Sequence, residues 1–263
     1  MTQTALSDMQ VAHQLADAAG AVILPYFRSS DLGAENKLSE GFDPVTVADR
    51  AAEETMRALL AELRPQDGIL GEEFPAKAGT SGRTWVLDPI DGTRGFISGT
   101  PTWGVLIALS EDAGPILGVI DQPYTAERFS GSADLAEMTG PLGRRPLKTR
   151  SIQDLSEAIL FTTFPEVGSP EERAGFERVA QQVKLTRYGM DCYGYALLAA
   201  GQVDLVVEAG LQSYDIQAPI AVIQAAGGIV TDWQGGPAHE GGRALAAANR
   251  EIHAQALEIL QKY

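Results

Sequence analysis

The nine residues Trp85 to Thr93, W-V-L-D-P-I-D-G-T, constrain this chain more than any other stretch. Trp85, Val86 and Leu87 are β-formers without polar interruption, so they predict a buried strand that delivers Asp88 at its end. Pro89 removes a backbone donor, Ile90 and Asp91 carry the chain round a corner, and Gly92 and Thr93 are small enough for a ligand to approach the main chain. Two carboxylates on one corner suit hard divalent cations such as Mg²⁺, which select oxygen ligands, and the Thr93 hydroxyl stands beside them to orient a water. The same residues also serve an ordinary strand end, helix cap and turn, so other parts of the chain must decide.

Composition narrows the partners. A net charge of -15, from 35 acidic and 20 basic side chains, argues against non-specific binding to nucleic acid or an anionic membrane; a phosphate ligand would need a cation to mediate. One cysteine, Cys192, excludes an internal disulfide, and His13, His239 and His253 lack zinc-ligand spacing. There is no basic segment followed by an apolar core at the start and no apolar run of spanning length, so a soluble cytoplasmic protein is expected. With 263 residues, 44% of them hydrophobic, the chain holds one large or two modest α/β units.

Taken in order, apolar spacing predicts a helix over about residues 5–29, then a polar loop to Gly41 that contains Lys37, a solvated lysine or one able to approach a bound phosphate. Thr46 and Asp49 have capping-box spacing for a second helix. Gly68 to Phe74 reads as a strand ending in Glu72 and Glu73, of which one can face a given site. A hairpin is expected from Trp103–Leu109 and Ile116–Ile120 about the turn Asp112, Ala113, Gly114. Pro141 to Arg150 has linker composition and divides a half of residues 1–145 from one of 146–263. Beyond it come strand-like Ala158 to Phe164, a helix over about Glu171–Gln182, Leu185 to Gly189, a helix from Asp191 to Gly201, a strand from Val203 ending at Glu208, and a helix with Asp215 at its mouth. Pro219 is expected near the first turn of that helix.

D-P-I-D-G-T after an apolar strand resembles the signature of the inositol monophosphatase family of metal-dependent, lithium-sensitive phosphatases. The family's second signature, an acid after an aromatic at a late helix start followed by paired glycines, is matched by Tyr214, Asp215 and A-A-G-G, with Tyr in place of Trp. The resemblance implies a layered sandwich of alternating helices and sheets, usually a homodimer, that hydrolyses a small phosphomonoester with two or three Mg²⁺ ions. It implies Glu72, Asp88 and the Ile90 carbonyl as ligands of one ion, and Asp88, Asp91 and Asp215 as ligands of another. Glu72, Asp49 and Thr93 would orient a water for direct attack without a phosphoenzyme, and the amides of Gly92 and Thr93 would hold phosphate. Asp49 and the capping box are compatible, since a helix start also favours anions.

Within the family, the flanks D-G-T-R-G-F-I-S-G and R-Y-G-M-D-C-Y-G-Y-A look most like the histidinol-phosphate phosphatase branch. Asp191 and Glu208 would form an anionic pocket for an ammonium and an imidazole; alternatively they are a helix cap and a solvated strand end. Arg187 matches a substrate-contact position, or is a surface ion pair. The competing expectations are an inositol-1-monophosphatase and a non-catalytic regulatory protein that kept the fold.

Overall fold

The computed structural model describes residues 6–30, 35–36, 44–164 and 166–263; Lys37 lies outside them. Ser7 opens α1 (Asp8–Ile23) through a capping box with Gln10. The helix is shorter than its apolar pattern predicts, ending two residues before Pro25, which has no amide to extend the ladder. After β1 (Glu35–Asn36) and β2 (Pro44–Val45), Thr46 caps α2 (Val47–Leu63), and the box with Asp49 forms as the spacing predicts.

Next in order are β3 (Gly68–Gly71), β4 (Thr84–Asp91), α3 (Thr93–Ser98), β5 (Gly104–Glu111), β6 (Gly114–Gln122), β7 (Glu127–Ser132), β8 (Leu135–Gly140) and β9 (Gly143–Pro146). They build one sheet in the order β3 to β9, parallel between β3 and β4 and antiparallel elsewhere. The expected hairpin is β5–β6, with Glu111 paired to Gly114 across the turn. The expected linker differs: Gly143–Pro146 is the last strand of this sheet, fully exposed, and polar side chains are what an edge strand tolerates.

A second sheet, ordered β11-β10-β12-β14-β13, uses β10 (Ile159–Thr162), β11 (Leu185–Tyr188), β12 (Leu205–Leu211), β13 (Ile229–Thr231) and β14 (Gly242–Ala247). Between them lie α4 (Pro170–Ala180), α5 (Asp191–Ala199) and α6 (Ser213–Ala225), and α7 (Arg250–Leu260) follows.

Alternation along the strands explains the layering. On β4, Trp85 and Leu87 face the core that holds α1 and α2, while Val86 faces the one that holds α5 and α6. That middle core continues into Val206, Val230 and Ala246 of the second sheet, whose other face, through Leu205, Val207 and Leu245, meets Phe176 of α4 and Ile252 of α7. The order is therefore helix pair, sheet, helix pair, sheet, helix pair, the sandwich the resemblance implies. Each fully buried Leu, Ile or Phe contributes about 1.5–3 kcal/mol. The middle helix sits close because β6 and β7 present paired glycines: a methyl group added at Gly118 would lie 2.4 Å from the Ala218 carbonyl oxygen, and one at Gly131 2.5 Å from Val222 Cα. Pro219 is inside α6 rather than in its first turn, because the helix begins at Ser213; its missing amide leaves the Asp215 carbonyl without that helical bond.

Candidate active site

The corner predicted after Leu87 is part of the strand itself. β4 continues to Asp91, with its pairing to β5 shifted between Asp88 and Asp91, around the proline that cannot donate to the ladder. Asp88 Oδ1 accepts the Ile90 amide at 3.1 Å, and the Ile90 carbonyl accepts the Thr93 hydroxyl at 3.1 Å. Gly92 turns the chain at φ 85°, where Asp191 packs so closely that a Cβ would lie 2.6 Å from its Cγ. Asp91 Oδ2 accepts the Cys192 amide at 2.7 Å, so the start of α5 in the second half of the chain fixes a carboxylate of the first.

Asp49 is buried at the start of α2. It accepts the Thr46 amide at 2.9 Å and the Thr46 hydroxyl, and the Thr93 hydroxyl lies 3.5 Å from its other oxygen. Burial raises its pKa to about 6, against the hydrogen bonds from Thr46. Glu72 lies in a bend beyond β3, which stops at Gly71 instead of running to Phe74. The segment after it is gripped by Glu53 of α2, whose Oε2 accepts the Glu73 amide at 2.7 Å and whose Oε1 pairs with Arg57 at 2.7 Å.

Asp88, Asp91 and Asp215 each offer a carboxylate oxygen within 4.8 Å of the others. Burial, then the charges of Glu72, Asp91 and Asp215, hold Asp88 well above the usual carboxylate range; burial, then Asp215 and Asp191, do the same to Asp91. Such a cluster concentrates negative charge in an all-oxygen donor set, which fits hard divalent cations. Asp215 reaches it from the third position of α6, where it also accepts the Gln212 amide at 2.7 Å.

These carboxylates, with Glu72, Ile90, Gly92 and Thr93, line a cavity of about 380 Å³ that Asp191 and Glu208 also line. Asp191, at φ 46°, does not cap α5; its Oδ2 accepts the Thr102 hydroxyl at 2.7 Å, and burial raises its pKa. Glu208 is inside β12 rather than at a solvated strand end and is 7% exposed. Its Oε1 accepts the Thr163 amide at 2.7 Å, and burial lifts its pKa to about 7. Arg187 departs from expectation. It is exposed on β11, the edge strand of the second sheet, and is not part of the cavity lining. The arginine that lines the cavity is Arg94, with its guanidinium 4.8 Å from the Phe164 ring centre. Arg94 follows the D-G-T string directly, and Tyr195, another lining residue, stands one helical turn after Asp191; these spacings were the available signals.

Comparison with known proteins agrees with this fold. The chain is 43% identical over 266 residues to the bifunctional phosphatase IMPL2, chloroplastic, of Arabidopsis thaliana, covering 95% of this chain and 74% of that one. It is 37% identical to a histidinol-phosphatase of Streptomyces coelicolor, with 98% of each covered. A solved inositol monophosphatase from Zymomonas mobilis superposes with a TM-score of 0.85 at 42% identity, over 97% of each chain. The model of the inositol monophosphatase family matches residues 6–263, and the chain belongs to that family of metal-dependent phosphatases.

Proposed function

We propose that the chain is a Mg²⁺-dependent phosphomonoesterase whose substrate is L-histidinol phosphate, released as L-histidinol and phosphate. The observation that carries the choice of substrate is the presence of two further carboxylates, buried Glu208 and half-buried Asp191, on the cavity that holds the acidic cluster. Carboxylates withdrawn from water favour a positive partner, which Arg94 supplies in part to Asp191, and histidinol phosphate brings an ammonium and an imidazole where inositol phosphate brings hydroxyls. Relatives named histidinol-phosphatase, at 36–37% identity over most of the chain, support the reading. The second reading is an inositol-1-monophosphatase, favoured by the name of the solved Zymomonas mobilis relative and by Caulobacter vibrioides inositol-1-monophosphatase at 35% identity.

In this reading Glu72, Asp88, Asp91, Asp215 and the Ile90 carbonyl hold two or three Mg²⁺ ions. A cation held there would supply the charge that polarises phosphate and would lower the pKa of a water from about 15.7 toward 7. The Thr93 hydroxyl and Asp49 Oδ1 form the path for the water's proton, and an Asp49 pKa of about 6 leaves it ionised at neutral pH and basic enough to accept. Gly92 and Thr93 present backbone amides to phosphate at the start of α3. No helix among the described residues is long and apolar enough to cross a membrane. A homodimer, tested by sedimentation, completes the reading.

The deciding experiment is phosphate release with Mg²⁺ from L-histidinol phosphate and from myo-inositol 1-phosphate at matched concentrations. A preference of about 10²-fold or more for histidinol phosphate is expected, because unpaired buried groups reject the wrong substrate. The reverse preference overturns the assignment.

Two further outcomes test the parts. Metal-free protein titrated with Mg²⁺ to 100-fold above the dissociation constant should gain about 2.7 kcal/mol, a rise of roughly 5–10 °C in Tm for a chain of this size. An unmoved Tm would mean the cluster binds no cation. For Glu208→Gln, KM for histidinol phosphate should rise about tenfold or more at pH 8. In the free enzyme Glu208 has a raised pKa, so its ionisation opposes folding above the unfolded value and is relieved as pH falls below about 7. The variant should therefore be more stable than wild type at pH 8, by up to about 3 kcal/mol, and that advantage should shrink to a small fraction at pH 5. A variant that loses stability at pH 8 contradicts this account of Glu208.

A further inference from the structure

Three aromatic side chains line the active-site cavity, and they differ in how much ring they offer. Tyr195 is 4% exposed, Tyr214 is half-buried against the middle core, and Phe164, two residues beyond the end of β10, is 41% exposed. Phe164 belongs to none of the three cores, and no other aromatic ring packs on it among the described residues. A large apolar side chain exposed alone on an open surface needs no explanation; one that opens onto a cavity with convergent polar groups has a ligand to meet.

Two contacts fix where this ring stands. The Arg94 guanidinium lies 4.8 Å from its centre, and Arg94 follows Thr93 directly, so a single arginine side chain spans from the Gly92–Thr93 corner to the ring. The preceding residue, Thr163, donates its amide to Glu208 Oε1 at 2.7 Å, so the backbone that carries the ring also holds that carboxylate. Phe164 therefore joins the corner of one half of the chain to the Glu208 wall of the other. Arg94 takes part of the ring surface, and the exposed remainder is free to meet a flat group, a contact of about 0.5–1.5 kcal/mol beyond the area it buries.

We propose that Phe164 is a substrate contact, the platform for a planar unsaturated ring on the alcohol side of the phosphate ester. For histidinol phosphate that ring is the imidazole, and to this extent the assignment rests on the substrate reading given above. The order of the sites matches the order of the groups. The ester oxygen is joined through one methylene to the carbon bearing the amine, and that carbon through a second methylene to the imidazole; the corner, the carboxylates and Phe164 receive them in turn. Phe164 is thus a specificity residue, which favours monoesters bearing a ring and is indifferent to those without one.

Phe164→Leu keeps an apolar side chain and removes the flat face, at a position outside the cores. The Mg²⁺-loaded enzyme is assayed on L-histidinol phosphate, on 3-phenylpropyl phosphate, which spaces a ring from the ester in the same way but has no amine, and on 2-glycerophosphate, which has neither. KM for the two ring-bearing substrates should rise about 3- to 10-fold, the span of an aromatic pair, while 2-glycerophosphate stays within about twofold of wild type. Phe164→Tyr, which keeps the ring, should stay within about twofold on all three. Equal losses on all three substrates would mean that the ring acts through Arg94 on the phosphate end and would overturn the proposal, as would unchanged KM on the ring-bearing pair or a tyrosine variant as impaired as the leucine one. The two levels are separable. A wild type that ignores histidinol phosphate, with a leucine variant impaired on 3-phenylpropyl phosphate alone, removes the substrate reading and supports the ring contact. A wild type that prefers histidinol phosphate, with a leucine variant that matches it, removes the contact alone.

Discussion

Asp88→Asn should reduce turnover by about 10³-fold or more while making the metal-free protein more stable. Asparagine has the same shape, and its amide oxygen can still accept the Ile90 amide that now meets Asp88 Oδ1. What disappears is a charge that burial and the neighbouring Glu72, Asp91 and Asp215 all oppose. The sign follows from the raised pKa: ionised Asp88 opposes folding at every pH above its unfolded value, and the penalty is relieved as pH falls below the native value. Metal-free wild type should therefore melt higher at pH 5 than this residue allows at pH 8, and the variant should show less of that gain. Thermal melts with and without a chelator at the two pH values, beside steady-state phosphate release, separate the effects. Turnover within about tenfold of wild type would show that Asp88 is not part of the hydrolytic set.

The second large effect is expected one layer behind the acidic cluster. Glu53 is fully buried on α2, one turn after Asp49, and holds both Arg57 and the amide of Glu73, while Arg57 also bonds the Phe74 carbonyl at 3.0 Å. Its carboxylate lies where a side chain at position 71 would be, with Glu53 Oε1 2.1 Å from a Cβ built on Gly71. Glu53→Ala strands Arg57 and the Glu73 amide together, at a cost of about 3 kcal/mol or roughly 6–12 °C in Tm. The Arg57 side chain keeps 18% exposure, which puts the figure at the low end for a broken buried pair. The bend carrying Glu72 also loses its anchor, so kcat should fall about 10- to 100-fold even below the melting range. Glu53→Gln keeps an acceptor for the Glu73 amide and should recover most of the rate. If the alanine variant, assayed while folded, turns over like wild type, α2 does not position Glu72.

Why the sequence exposed some of this and hid the rest has physical reasons. The D-P-I-D-G-T string is legible as a place where two acids meet a turn, although the strand runs on to Asp91 and the chain turns only at Gly92, and the capping box of Asp49 is legible because its spacing is local. The β5–β6 hairpin followed from two apolar runs about a short turn. β9, by contrast, is Gly-Arg-Arg-Pro with every residue exposed, and an edge strand without an apolar face has no period to read. Arg187 matches a substrate-contact position only through the family resemblance, and the edge of the second sheet leaves it outside the cavity, while Arg94, two residues after Gly92, lines it. Glu53 reads as an ordinary helical residue, and its significance comes from a partner 20 residues away, the Glu73 amide.

The glycine pair beneath α6 has a consequence for how this protein can change over generations. Gly118 and Gly131 carry no charge, touch no ligand and stand far in sequence from every acid of the cavity, yet they set how near the helix bearing Asp215 lies to the strand bearing Asp88 and Asp91. A single added methyl at either would have to lift that helix, because its closest neighbours are backbone atoms that cannot rotate away. A lineage could therefore keep every acidic residue of the hydrolytic set and still lose hydrolysis, silenced from beneath by an alanine that a survey of charged side chains would pass over.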